Sequence, residues 1–72
     1  MEVENQAQAA LKSSPIFALR DLRVESNGKS LLISGRVSSF YYKQLAQEVV
    51  RSVSEGLQVV NSIDVDEYRR PK

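Results

Sequence analysis

The alternation of apolar and polar residues predicts five elements, in the order helix, strand, strand, helix, strand. Residues 2–14 have helical spacing of their apolar positions, which are Val3, Ala7, Ala10 and Leu11. Pro15 ends this helix, because proline disfavours helical geometry in the residue that precedes it. We expect the short apolar connector that follows to close one end of the core with Ile16, Phe17 and Leu19.

A β-hairpin is predicted from residue 22 to residue 37. Residues 22–26 alternate as a half-buried strand, and Asn27-Gly28 predicts a tight primed turn in which both residues take positive φ. The second strand places Leu31, Ile33, Gly35 and Val37 on its apolar face. Because Gly35 has no side chain to fill its place on that face, we expect a helix to cross the strand closely there.

The clearest helical pattern lies in residues 40–54, after Ser38 and Ser39, which offer an N-cap. Its apolar face is formed by Tyr42, Leu45, Ala46, Val49, Val50 and Val53. Gly56 suits the left-handed position just past the end of a helix. Residues 57–65 then predict a third strand, in which Asn61 interrupts the apolar alternation and indicates a local irregularity near Val59 and Val60.

These elements predict one α+β domain, residues 1–65, followed by a charged tail, residues 66–72, that we expect to be flexible. The hairpin makes the first two strands antiparallel, and the strand–helix–strand step makes the third strand parallel to the second. Only one face of this three-stranded mixed sheet has a continuous apolar set, so both helices should pack on it. The open face carries Leu32, Ser34, Arg36, Val60, Ser62 and Asp64.

Composition narrows the classes of function. The 72 residues include no cysteine and no histidine, so the chain offers no disulfide, no common zinc site and no histidine base. Its 3 glycines are isolated, and no glycine loop that cradles phosphate occurs. Carboxylates cluster only at Asp64, Asp66 and Glu67, where a solvated strand end is a better explanation than a cation site. We expect no enzymatic activity, no cofactor and no metal.

Charge and hydropathy argue against further classes of function. A formal net charge of +1 argues against a strongly electrostatic nucleic-acid binder, and the sheet lacks the exposed aromatic residues that stack bases. No apolar run approaches the roughly 20 residues that cross a bilayer. Met1 is followed by acidic and amide residues rather than by a secretory signal, so these residues alone predict a cytoplasmic protein or a domain of a longer chain.

Two motifs resemble those of the BON domain, a small module of bacterial cell-envelope and osmotic-stress proteins. The first, an apolar strand ending in Ser-Gly-x-Val, corresponds to residues 31–37. The second is a helix with spaced Ala and Val that runs into Gly-Val-x-x-Val-x-Asn, with Leu57 where the family usually has valine. Its places are filled by Ala46, Val50, Val53, Gly56-Leu57, Val60-Asn61, Ile63 and Val65. The resemblance covers about residues 10–65, and its fold-defining positions include Gly35, Val37, Gly56 and Asn61.

The resemblance implies a non-catalytic binding or adaptor module that associates with phospholipid surfaces or envelope proteins, in the cell envelope or periplasm. A headgroup site needs cations beside an apolar edge, and Phe40 or Tyr41 could supply an interfacial ring. The candidate cations are Arg20, Arg23, Lys29, Arg36, Lys43 and Arg51. The competing hypothesis is a protein-interaction or oligomerisation module. There Leu32 and Val60, or the unpaired edge strands, would join a second copy or a neighbouring domain.

Overall fold

The first helix, α1, spans Glu2–Lys12 in the structure, a computed structural model that describes residues 2–66. Ala7 and Leu11, two of the predicted apolar positions, are fully buried. The helix ends two residues earlier than predicted, and the Ser14 hydroxyl accepts a hydrogen bond from the Ile16 amide at 3.0 Å. The predicted tail lies outside the described residues except for Asp66.

The connector forms a short 3₁₀ helix, Phe17–Leu19. Leu19 is fully buried and Ile16 packs against the core, as predicted. Phe17 is 78% exposed, so the prediction that it closes the core is wrong. A 3₁₀ helix turns by a third of a circle per residue, so when Leu19 faces the core, Phe17 is turned away from it.

The predicted hairpin joins β1, Arg23–Ser26, to β2, Ser30–Ser34, in an antiparallel pair. Its turn differs from the prediction, because Gly28 has positive φ (95°) and Asn27 does not. The side-chain Oδ1 of Asn27 instead accepts hydrogen bonds from the amides of Lys29 (3.1 Å) and Ser30 (2.9 Å). Gly28 and Lys29 are therefore the two central residues of the turn. Asn27, which precedes them, stabilises the turn through its side-chain hydrogen bonds.

Gly35 separates β2 from a short strand β3, Arg36–Val37, and has a φ of 133°. A Cβ atom at this glycine would lie 2.6 Å from Cδ2 of Leu22 and 3.5 Å from its Cα. The predicted close approach therefore exists, but the prediction of a crossing helix is wrong. The neighbour is Leu22, the residue directly before β1.

The second helix, α2, spans Phe40–Arg51, and the Ser39 hydroxyl caps it by accepting a hydrogen bond from the Tyr42 amide at 3.3 Å. It ends three residues before the predicted Ser54, so Gly56 is not its terminal left-handed residue. Gly56 instead forms a tight turn in which the Leu57 amide donates to the Ser54 carbonyl at 3.0 Å. Glu55 and Gly56 both have positive φ there (53° and 88°), as a type I′ turn requires.

The third predicted strand is divided into β4, Gln58–Asn61, and β5, Asp64–Val65, which run parallel to β2 and β3. Ile33 pairs with Asn61 and Arg36 pairs with Asp64, an offset of 28 residues on both sides of the break. An unchanged offset leaves no room for a bulge, so the predicted irregularity near Val59 and Val60 is wrong.

Asn61 is accommodated on the apolar face by hydrogen bonds. Its Nδ2 donates to the Lys43 carbonyl (3.0 Å) and to Gln47 Oε1 (3.2 Å), and its Oδ1 accepts from the Ile63 amide (3.1 Å). A polar residue at a core position is stable when its donors and acceptors are satisfied in this way. Asn61 thereby ties β4 to α2.

The predicted α+β arrangement is confirmed. The strand order is β1-β2-β4, and both helices pack on the face that carries Leu31 and Ile33, which are fully buried. The core consists of Ala7, Leu11, Leu19, Leu22, Val24, Leu31, Ile33, Val37, Ala46, Val50 and Ile63. In the part of the chain that the structure describes, every buried side-chain nitrogen and oxygen has a hydrogen-bond partner.

Candidate binding surface

Three aromatic side chains are exposed on two segments that contact each other, the 3₁₀ helix and α2. Phe17, Phe40 and Tyr41 are 78%, 63% and 67% exposed, and we call them the aromatic end. Phe40 and Tyr41 form the first turn of α2, where the Ser39 cap turns Tyr42 toward the core and leaves its two predecessors in water. The 3₁₀ helix contacts α2, and Phe17 lines the same shallow hollow as Ser38, two residues before Phe40.

Arg20 is held beside this end by two contacts. Its Nε donates a hydrogen bond to the Ser14 carbonyl at 2.8 Å, and its Cζ lies 4.8 Å from the centroid of the Phe17 ring. A cation over an aromatic face is favourable, so each group limits the motion of the other. The exposed ring of Phe17 is therefore held in place and accompanied by a positive charge.

The predicted cations do not converge on one site. Arg20 and Arg23 line one groove, which we call the basic groove, together with Lys12, Gln8, Asp21 and Leu22. Arg36 pairs with Asp66 at 3.7 Å, and both line the hollow that contains Phe17 and Ser38. Lys29 lies in the hairpin turn, Lys43 lies half-buried on α2, and Arg51 ends α2. The sequence analysis missed Lys12, whose only local signal is its place in the last turn of a helix.

The open sheet face carries a small apolar strip. Leu32 is paired with Val60 across β2 and β4, and with Glu25 across β1 and β2. Val60 is 38% exposed and Leu32 is half-buried. Polar and charged residues surround this strip, so the face offers far less exposed apolar surface than the aromatic end.

One edge of the sheet is occupied by a side chain of α1. Gln8 Nε2 donates to the Leu22 carbonyl (2.8 Å), and its Oε1 accepts from the Val24 amide (2.9 Å). The side-chain amide of Gln8 thus takes the two backbone groups that a neighbouring strand would use. Docking of another strand at this edge would therefore require displacement of Gln8.

Potential metal ligands are not grouped within residues 2–66. No group of three or more His, Cys, Asp or Glu residues within that range could hold a metal ion. Asp66, from the predicted acidic cluster, pairs with Arg36, and Glu67 lies outside the described residues. Among the described residues, no helix is both long enough and apolar enough to cross a membrane.

Comparison with known proteins decides the family. A family model described as the BON domain matches residues 2–67, which is nearly the whole chain. The chain belongs to the BON domain family. No curated protein matches this BON domain significantly. The family consists of non-catalytic binding modules associated with the bacterial envelope, so membership indicates a binding or adaptor module.

The positions that carried the resemblance have structural roles in this BON domain. Gly35 contacts Leu22, Val37 is 4% exposed in the core, Gly56 forms the turn before β4, and Asn61 links β4 to α2. They explain the fold and leave the ligand to the surface residues.

Proposed function

We propose that this BON domain is a peripheral binding module that attaches to phospholipid surfaces of the cell envelope through its aromatic end. The observation that supports the proposal is the exposure of Phe17, Phe40 and Tyr41 on two segments that contact each other, the 3₁₀ helix and α2. Aromatic rings favour the boundary between headgroups and acyl chains. Large apolar side chains that are exposed next to one another mark an interaction site more often than scattered ones do.

The cation beside the rings favours an anionic surface. Arg20 lies over Phe17, so a membrane that receives this ring also meets a guanidinium group at headgroup depth. We expect vesicles with anionic lipid to co-sediment the domain more than neutral vesicles do, and added salt to weaken the binding. Equal binding to both kinds of vesicle would contradict the electrostatic part of the proposal.

Replacing the exposed rings singly with serine should weaken vesicle binding. Moving about 60 Å² of ring surface from water into lipid is worth about 1.5 kcal/mol. That energy corresponds to about tenfold in affinity. We therefore expect Phe17→Ser, Phe40→Ser and Tyr41→Ser each to reduce the vesicle partition coefficient by about tenfold, measured by co-sedimentation.

Val60→Ser is the matched control for these variants, because Val60 is also an exposed apolar residue (38%) but lies on the open sheet face. Its vesicle binding should remain within about twofold of the parent domain. The proposal fails if Val60→Ser weakens binding as much as the ring variants do, or if the ring variants bind normally. Circular dichroism of each variant verifies that the fold is intact.

Self-association through the open sheet face is a second candidate function, supported by the Leu32–Val60 strip. In that case sedimentation velocity shows a dimer that grows with concentration. Leu32→Glu abolishes it, because docking would bury an unpaired carboxylate beside Glu25 on β1. Gln6→Glu adds the same charge at an exposed position of α1, which packs on the other side of the sheet, and serves as the control. A dimer that survives Leu32→Glu excludes this face as its interface.

A further inference from the structure

The basic groove brings together cations from two segments of the chain. Lys12 comes from the last turn of α1, while Arg20 and Arg23 come from the connector and the first residue of β1. The chain reverses after Pro15, and the Gln8 hydrogen bonds to Leu22 and Val24 hold α1 against β1. The groove is therefore built by the packing of α1 on the sheet rather than by neighbouring residues in the sequence.

Positive charge prevails in the groove. Among its lining residues, Asp21 is the acidic one, against the three cations Lys12, Arg20 and Arg23. Within residues 2–66, neither Lys12 nor Arg23 has an ion pair or a side-chain hydrogen bond. Arg36, by contrast, is paired with Asp66. The charges in the groove are thus available to an anionic ligand.

Arg20 is positioned in advance for such a ligand. Its Nε is engaged by the Ser14 carbonyl and its plane is steadied by the Phe17 ring, while its two terminal nitrogens make no hydrogen bond to any described residue. A planar guanidinium with free terminal donors matches the oxygen atoms of a phosphate group. Fixing the side chain beforehand lowers the entropy that binding costs.

We infer that the basic groove binds a phosphate group, with Arg20 as the orienting contact and Lys12 and Arg23 as supporting charges. This inference rests on the proposed function, because Arg20 both lines the groove and contacts Phe17 of the aromatic end. A phospholipid whose acyl region receives Phe17 would place its phosphate beside Arg20. The same chemistry would accept a free phosphate monoester, and the experiment below separates the two sources.

The main test is the double variant Lys12→Gln, Arg23→Gln, compared with Lys29→Gln, Arg51→Gln. Both remove two positive charges, but Lys29 and Arg51 lie in the hairpin turn and at the end of α2, outside the groove. On phosphatidylcholine vesicles containing phosphatidylglycerol, the groove variant should bind roughly thirtyfold more weakly, and the control variant should bind within about threefold of the parent. Equal losses in the two variants would overturn the groove as the site.

Arg20→Lys tests the role of the guanidinium, because lysine keeps the charge but loses the planar fork. We expect this variant to bind the same vesicles at least about threefold more weakly than the parent domain. Unchanged binding would overturn the assignment of Arg20 as the orienting contact.

Titration of the ¹⁵N-labelled domain with glycerol 3-phosphate tests phosphate binding in the groove without a membrane. Amide shifts confined to residues 8–12 and 20–24, and absent from the Lys12→Gln, Arg23→Gln variant, support the groove. If these shifts occur while vesicles do not bind, the proposed membrane function fails and the groove stands as a site for a free phosphate monoester. If vesicles bind but neither shifts nor variant effects are seen, the groove inference fails and the aromatic end stands.

Discussion

Gly35→Ala is expected to lower the free energy of unfolding by about 3 kcal/mol, measured by urea denaturation. The φ of 133° at Gly35 is a conformation that alanine adopts only with strain of about 1–3 kcal/mol. The new Cβ would also lie 2.6 Å from Leu22 Cδ2 in the core, and such overpacking costs about 1–3 kcal/mol. For a domain of this size the melting temperature should fall by roughly 15 °C.

Gly28→Ala separates the two causes. Gly28 also has positive φ (95°), but no atom beyond its own chain neighbours lies within 4 Å of the place its Cβ would take, so only backbone strain of about 1 kcal/mol is expected. In a double-mutant cycle, Gly35→Ala should cost less in a Leu22→Ala background, because the clashing methyl group is gone. If Gly35→Ala costs no more than Gly28→Ala, contact with Leu22 is not the reason for the glycine.

Asn61→Asp is expected to lower the free energy of unfolding by about 2 kcal/mol at neutral pH. The two side chains have nearly the same shape, so packing is retained. The amide Nδ2, which donates to the Lys43 carbonyl and to Gln47 Oε1, is replaced by an oxygen that can only accept. Gln47 can rotate its amide to donate instead, but the helix backbone at Lys43 cannot, so one repulsive contact between acceptors persists.

Ser62→Asp is the control for this charge. Ser62 is the next residue in the chain and is exposed, so the substitution adds a carboxylate without removing a bond between strand and helix. Its effect on the free energy of unfolding should stay within about 0.5 kcal/mol. A similar loss in both variants would show that added negative charge near β4, and not the lost donor, destabilises Asn61→Asp.

These two substitutions also separate stability from binding. Gly35 and Asn61 act inside the sheet and between the sheet and α2, whereas the aromatic end and the basic groove are formed by side chains that face water. A variant that loses vesicle binding while keeping the melting temperature of the parent therefore identifies a contact residue. A variant that loses both has lost the fold that positions such contacts.

The type and order of the elements were predictable from the sequence alone, because these features depend on residues only a few positions apart. The apolar positions of residues 40–54 at helical spacing, the Ser39 cap and the alternation around Ile33 are signals of this local kind. The structure confirms α2, its cap and the placing of both helices on one face of the sheet. The family resemblance relied on the same local patterns.

Tertiary structure alone decided which partner each special residue meets. The lack of a side chain at Gly35 indicated that some group comes close, but only the packing of the segment before β1 makes that group Leu22. The polar side chain of Asn61 suggested a distorted strand, and the carbonyl of Lys43, 18 residues away along the chain, makes the distortion unnecessary. Such partners depend on how distant segments dock, and local spacing carries no information about this.

The same distinction between local pattern and tertiary docking applies to the residues of the candidate surface. Phe40 and Tyr41 were predicted candidates because the first turn of an amphipathic helix has a recognisable pattern. The sequence pattern predicts a buried Phe17 and gives no signal that singles out Lys12. The exposure of Phe17 depends on how the 3₁₀ helix rotates to bury Leu19, and the grouping of Lys12 with Arg20 and Arg23 depends on α1 lying beside β1. The sequence alone therefore determined the elements and their apolar faces, and docking between distant segments determined which exposed residues became neighbours.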